Sequence, residues 1–451
     1  MLTHWFQGTC PSSSAQLPLS SLGGADGQGQ MKHFVQDDGL NVFRLPTSWQ
    51  YLVNSNNAAS AGNDLDATNA GKYDQLVRAC LATGAYCMLD LHNFARFNGG
   101  IVGQGGPTDA QFAGLWGQLA AKYADEPNIV FELMNEPHDL DVGAWAQTCQ
   151  HAVTAIRAAG AASQLILLPG TNFDSAATLV ASGSADALLA VTNPDGSTTN
   201  LLLDVHKYLD VDNSGTHAAC VTDNVGNFTV VADYLRAHGR QGFVSETGAS
   251  SQASCVTDFC AQNAFINANA DVFVGYVGWA AGGFDSSYVL SLTPSKQGGN
   301  GGGQYVDNAL MTECVLGPYR NSSETVPSGP PPPPPPYSTT GTGTGIVVTT
   351  GTTESASTTA TASETATTSD TTTEIAHSGY TITKTGEGGS TRTGVTHKAT
   401  ATATGTTLLL GTGSPSATTT GPLTIQTVNA ARAVRVMKEA LIGVVVVAAL
   451  L

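Results

Sequence analysis

The sequence predicts an α/β fold: an eight-stranded β/α barrel with one strand unrecognisable, followed by a long tail with no core. Three observations predict it. Seven short apolar runs recur through the first 320 residues, stretches with helical spacing lie between them, and the composition changes abruptly near residue 327.

The runs are 41–45, 86–91, 129–134, 165–168, 201–205, 241–244 and 273–277. They are continuous rather than alternating, as strands buried on both faces are. Between them, 73–82 places Tyr73, Leu76, Val77 and Cys80 on one helical face, and 109–123 does the same for Phe112, Leu115, Trp116 and Leu119. Strands alternating with helices make a parallel sheet, and this number of strands favours a barrel. A doubly wound open sheet is the alternative. No G-x-G-x-x-G follows the first strand, which weakens a dinucleotide-binding version.

Composition narrows the function. All five Trp and all eight Cys of the 451 residues fall within the first 320, enough chain for a large core. A net charge of −17 argues against nucleic acid, whose phosphates need a basic surface, and suits a neutral ligand such as a sugar. No two Cys have C-x-x-C spacing, so zinc or thioredoxin-type chemistry is not expected. The sequons at Asn227 and Asn321, with the Cys count, point to secretion and disulfides. Met1 to Cys10 shows no signal peptide, so the true N-terminus is expected to be missing.

The tail reads in pieces. Residues 330–336 are an unbroken proline run, which must be polyproline II. From Ser338 the chain is rich in Thr, Ser and Gly, too poor in apolar residues to offset its ordering entropy, and resembles an O-glycosylated stalk. Small residues at 429–431, a polar spacer at 432–440 and an apolar run at 441–451 match a glycolipid-anchor signal; the last run is short for a bilayer. The expected organisation is a catalytic domain at 1–320, a Pro-rich linker at 321–337, a stalk at 338–428 and a hydrophobic tail at 429–451.

Polar and titratable residues gather at strand ends, Arg44, His92, Asn135 with Glu136, His206 with Tyr208, and Glu246, and Trp279 joins them. In a barrel these converge on one rim, where active sites sit. Glycoside cleavage needs two carboxyl groups, one to protonate the leaving oxygen and one to attack or to activate water. Glu136 and Glu246, on strands counted as fourth and seventh, are the candidates. A neighbouring carboxylate should raise the Glu136 pKa and keep it protonated as the acid. Arg44 is expected to hold Glu246 ionised, Asn135 to bond a sugar 2-hydroxyl, His206 and Tyr208 to orient the nucleophile, and Trp279 to face a pyranose ring. Each residue alone has an ordinary structural reading; their joint appearance in strand order does not. His92, His138 and His206 raise a metal hydrolase, but no H-E-x-x-H or tight ligand spacing supports one.

These residues resemble glycoside hydrolase family 5, most closely its fungal endoglucanases. Matching stretches include Phe43-Arg44-Leu45-Pro46, Met134-Asn135-Glu136-Pro137-His138-Asp139 and Asp204-Val205-His206-Lys207-Tyr208, and the similarity runs over roughly 8–320. The resemblance implies a β/α barrel and retaining, endo-acting hydrolysis of β-1,4-glucan by Glu136 as acid/base and Glu246 as nucleophile. It implies no metal or other cofactor and a monomer whose partner is the polysaccharide. Mannan, xyloglucan and β-1,3-glucan are the rival substrates, and an inactive wall-anchored carbohydrate-binding protein is the rival role. The family also implies disulfides Cys80–Cys87, Cys220–Cys255 and Cys260–Cys314, leaving Cys10 and Cys149 unpaired. The family's first strand and an early Cys are not found here. Phe97 and Phe173 stand where relatives often carry Trp, so outer sugar stacking is expected to be weaker.

Overall fold

Seven segments form a single sheet in a computed structural model: β1 (Val42–Thr47), β2 (Tyr86–Leu91), β3 (Ile129–Glu132), β4 (Leu165–Leu168), β5 (Leu201–Tyr208), β6 (Gly242–Gly248) and β7 (Phe273–Gly278). The structure describes residues 27–284, 287–298 and 303–324, with the two-residue strand Val447–Ala448. The chain divides into two units, 1–329 with 427–451 and 330–426. The second unit holds most of the expected linker and stalk and lies outside the described residues, as does Cys10.

All neighbouring strands are parallel and follow chain order, β1 to β7. A doubly wound sheet would reverse order at a switch point, so that alternative is excluded. The end strands β1 and β7 approach each other, as a curled sheet requires. Just after β7, Ala281–Gly282 pairs in parallel with Val447–Ala448, and that short strand also lies against β1.

Helices connect the strands on the outside: α1 (Gly27–Gln36) before β1, then α2 (Ala67–Leu81), α3 (Asp109–Lys122), α4 (Val142–Ala158), α5 (Ser184–Leu189), α6 (Val225–Ala237) and α7 (Ala253–Ala268). Their starts are chemically marked. Asp66 accepts from the Thr68 and Asn69 amides, Asp141 from Ala144, and Thr108 forms a reciprocal capping box with Gln111. The pairs Cys80–Cys87, Cys220–Cys255 and Cys260–Cys314 all form, while Cys149 is free and buried in α4.

The period of two along each strand sorts side chains into two cores. Phe43, Leu45, Leu89, Phe131, Ile166 and Leu203 pack outward with the helices. Val42, Met88, Val130, Leu167, Leu202, Phe243 and Val277 pack inside the curl. Two residues further along, the inward parity delivers Arg44, Asp90, Glu132, Asp204 and Trp279. The apolar interior thus gives way to polar chemistry at the C-terminal ends of the strands.

Trp116 on α3 is fully buried, meets Phe131 edge to face and donates its indole N–H to the Leu133 carbonyl at 3.2 Å. Trp116→Ala is expected to cost about 3–5 kcal/mol, and Thr108→Ala, which removes one cap, about 1 kcal/mol. Urea unfolding of both variants checks the size and the order of the two effects.

Candidate active site

Arg44 is the centre of the polar cluster. Its guanidinium is fully buried and binds Glu132 through Nε at 2.6 Å and through Nη2. Nη2 also donates to Asn135 Oδ1 at 2.7 Å and lies 3.0 Å from Asp90 Oδ2. Nη1 donates to Glu246 Oε2. Tyr208 donates its hydroxyl to the other Glu246 oxygen at 2.7 Å. A Cβ added at Gly215, where φ is +67°, would sit 2.6 Å from the Tyr208 ring. A side chain there would push the phenol away from Glu246, so glycine serves both the backbone and the packing.

Glu136 follows the end of β3 with φ at 46°, in the left-handed region that costs a residue with a side chain. Its amide donates to Asp174 Oδ2 at 3.1 Å, and Asn172, Phe173 and Asp174 are themselves left-handed. The carboxyl meets His206 Nδ1 at 3.0 Å. His206 Nε2 lies 2.8 Å from Ser245 Oγ, which donates to Asp204. The β5–β6 register slips between Val205 and His206, so Val205 faces Val244 while His206 faces Glu246. This bulge inserts Ser245 and turns Glu246 inward beside it.

One carboxylate oxygen of Glu136, one of Glu246 and a ring nitrogen of His206 lie within 4.8 Å of one another. Burial raises the Glu136 pKa well above the usual carboxylate range, and the charge of Glu246 raises it further. Burial also pushes Glu132 to about 8 and Asp90 to about 7, against the opposing pull of Arg44. His206 is held well below its ordinary value and His92 drops to about 3, both by burial and then by Arg44. Both imidazoles are thereby biased toward the neutral form.

The structure brings all the expected residues together, with some changes of role. His206 was expected on the nucleophile; it bonds Glu136 instead, because the slipped register puts Ser245 against its far nitrogen. Asn135 spends its oxygen on Arg44, and its buried Nδ2 has no hydrogen-bond partner among the described residues. Trp279 stacks on His92 with centroids 5.6 Å apart and donates its N–H to the Tyr288 hydroxyl at 3.0 Å. Phe97 is buried edge to face against Trp49 and offers no face to a sugar. Phe173 stacks on His138 at 4.6 Å. Sequence reasoning missed Asp90, Glu132, Asp174, Asp204 and Ser245. A charged residue inside an apolar strand run marks Asp90 and Glu132; nothing marks Asp174.

A β/α barrel with two facing glutamates on its rim, one held by histidine and one tied to arginine, is the arrangement of a glycoside hydrolase. Residues 8–284 match the family described as Cellulase (glycosyl hydrolase family 5), and the chain belongs to that family. It is 54% identical over 313 residues to Endoglucanase EG-II of Hypocrea jecorina, covering 68% of this chain and 73% of that protein. Endoglucanase 1 of Saitozyma flava is 49% identical over 293 residues, covering 64% and 81%. The crystal structure of Cel5A (EG2) from Hypocrea jecorina superposes with a TM-score of 0.65 at 53% identity, covering 68% of this chain and 93% of that one.

Because the Glu246 charge is one of the causes that raise Glu136, Glu246→Gln should lower the Glu136 pKa. Carbon-13 NMR of labelled glutamate side chains checks this: Glu136 should titrate at lower pH in the variant than in the parent.

Proposed function

We infer that the chain is an endo-acting β-1,4-glucanase that works by double displacement with retention, using Glu136 as acid/base and Glu246 as nucleophile. One observation supports retention: an oxygen of Glu136 and an oxygen of Glu246 lie within 4.8 Å of each other, closer than a pair built to hold a water beside the sugar. Inverting pairs stand roughly 6.5–9.5 Å apart.

The sequence of bonds follows. A Glu246 oxygen attacks the anomeric carbon while Glu136 gives its proton to the glycosidic oxygen, and the bond to the leaving chain breaks. The product is a glycosyl ester of Glu246, which carries no charge. Glu136 thereby loses one cause of its raised pKa, so it stays ionised after giving up its proton and takes a proton from water as that water attacks the anomeric carbon. Arg44 and Tyr208 hold the nucleophile's oxygens in line. The free Asn135 Nδ2 is suited to donate to the 2-hydroxyl as charge develops on the ring. His206 keeps the Glu136 carboxyl in place, and Trp279 presents an apolar face to the sugar.

The test is stereochemical and mutational. Proton NMR of cello-oligosaccharide cleavage should show the β-anomer appearing first and mutarotating later; initial release of the α-anomer rejects the mechanism. Glu136→Gln should lower kcat on carboxymethylcellulose by about 10²–10⁴-fold, and Glu246→Gln by at least as much. Azide should rescue Glu136→Ala by forming a β-glycosyl azide.

Three disulfides support an oxidising compartment, in keeping with action outside the cell. The apolar run 441–451 supports a glycolipid-anchor signal as part of this reading, although the pairing of Val447–Ala448 with Ala281–Gly282 favours its retention. Mass spectrometry of the C-terminal peptide separates the two. A glycolipid-bearing terminus near Asn429 supports the anchor, and an intact Leu451 rejects it.

A further inference from the structure

A second cluster of titratable side chains lies outside the catalytic set, on α1, the turn after it and the segment following the strand Gln304–Val306. We propose that His33, Asp38 and Asp307 form a binding site for a divalent first-row cation of the Zn2+ or Mn2+ type.

The spacing fits ligation. His33 Nε2 lies 3.1 Å from Asp307 Oδ1 and 3.4 Å from Asp38 Oδ2, and one atom of each residue lies within 4.8 Å of the others. Ligands bound at roughly 2.1 Å, with angles between octahedral and tetrahedral, stand about 3.0–3.4 Å apart. The three side chains are only 6%, 6% and 8% exposed.

Asp38 supplies an independent observation. Its Oδ2 points at the cluster, is buried, and accepts no hydrogen bond among the described residues. Leaving such an atom unsatisfied costs free energy, which a cation would recover. The Arg320 guanidinium, at 3.8 Å, faces the other oxygen, Oδ1.

His33 is oriented as metal-binding histidines are. Its Nδ1 meets Asp37 Oδ2 at 2.7 Å, which fixes the ring and leaves Nε2 for the cation. The Tyr305 ring walls one side, with centroids 5.3 Å apart. Asp37 is 66% exposed, so water reaches the edge of the cluster to complete the coordination.

The donor set selects the ion. One imidazole and two carboxylates lack the thiolates that soft metals prefer and fall short of the 6–8 oxygens that calcium takes. A cation held here would join α1 to a segment 274 residues away in sequence. Binding would therefore tighten the contact between the start and end of the catalytic domain.

The test uses the whole chain after dialysis against a chelator. Titration calorimetry with ZnCl2 or MnCl2 should show one saturable site, and Tm should rise with cation concentration. Asp38→Asn and Asp307→Asn should each weaken binding by about 10-fold or more. His217→Ala, which removes the exposed cluster with Asp210 and Asp212, should leave binding unchanged. Binding that never saturates, or that is unaltered in both Asn variants, overturns the site and leaves the cluster an ion pair. Should either variant fail to fold, electron–nuclear double resonance of Mn2+ on the parent chain decides. A single imidazole nitrogen coupling that survives both His217→Ala and His206→Ala supports the site; its absence rejects it.

Discussion

A single buried cation organises the rim of this barrel. Arg44 has no contact with solvent, yet it faces Asp90, Glu132 and Glu246, three carboxyl groups for one positive charge. Burying ions this way is expensive, and mutual attraction offsets that cost only where geometry and hydrogen bonds are complete. Here the guanidinium fork spans three strands and the loop after β3. Losing it would leave like charges facing one another in a site of low polarity. Arg44 therefore ties together the C-terminal ends of β1, β2, β3 and β6.

One guanidinium cannot neutralise three carboxylates. Burial raises Glu132 to about 8 and Asp90 to about 7, against the opposing pull of Arg44. On the far side, Ser245 donates to Asp204, so the neutral His206 must donate from Nε2 to Ser245. Its Nδ1 then carries the lone pair and accepts from a protonated Glu136 at 3.0 Å. The hydrogen-bond directions and the raised Glu136 pKa thus agree on the same proton position. Glu136 is biased toward the protonated form, while Arg44 and Tyr208 bind the two oxygens of Glu246.

Much of this was legible in the sequence because barrels obey simple periods. Apolar runs at 86–91 and 165–168 coincide with observed strands, and the inward parity from Val42 to Arg44 needs only alternation. Strands 201–205 and 241–244 read short. Their last residues are polar, and only the assembled rim shows that His206 and Glu246 continue the ladder to Tyr208 and Gly248. The role of His206 was not legible, because a register slip is a property of two strands together. Asp174 was hidden for a related reason. It acts from a loop of left-handed residues, where no period applies.

Both glutamates stand where regular backbone ends. Glu246 follows a bulge that lets Ser245 and Glu246 face inward in succession, which an unbroken strand forbids. Glu136 leaves β3 through a left-handed turn that Asp174 holds by its amide. A regular β6 would aim Ser245 or Glu246 inward, but not both, and either Glu246 or the His206 contact would be lost. A relaxed backbone at Glu136 would carry its carboxyl away from His206. The local cost of these two departures is carried by the packed sheet beneath them, and their product is a pair of carboxyl groups whose oxygens approach within 4.8 Å.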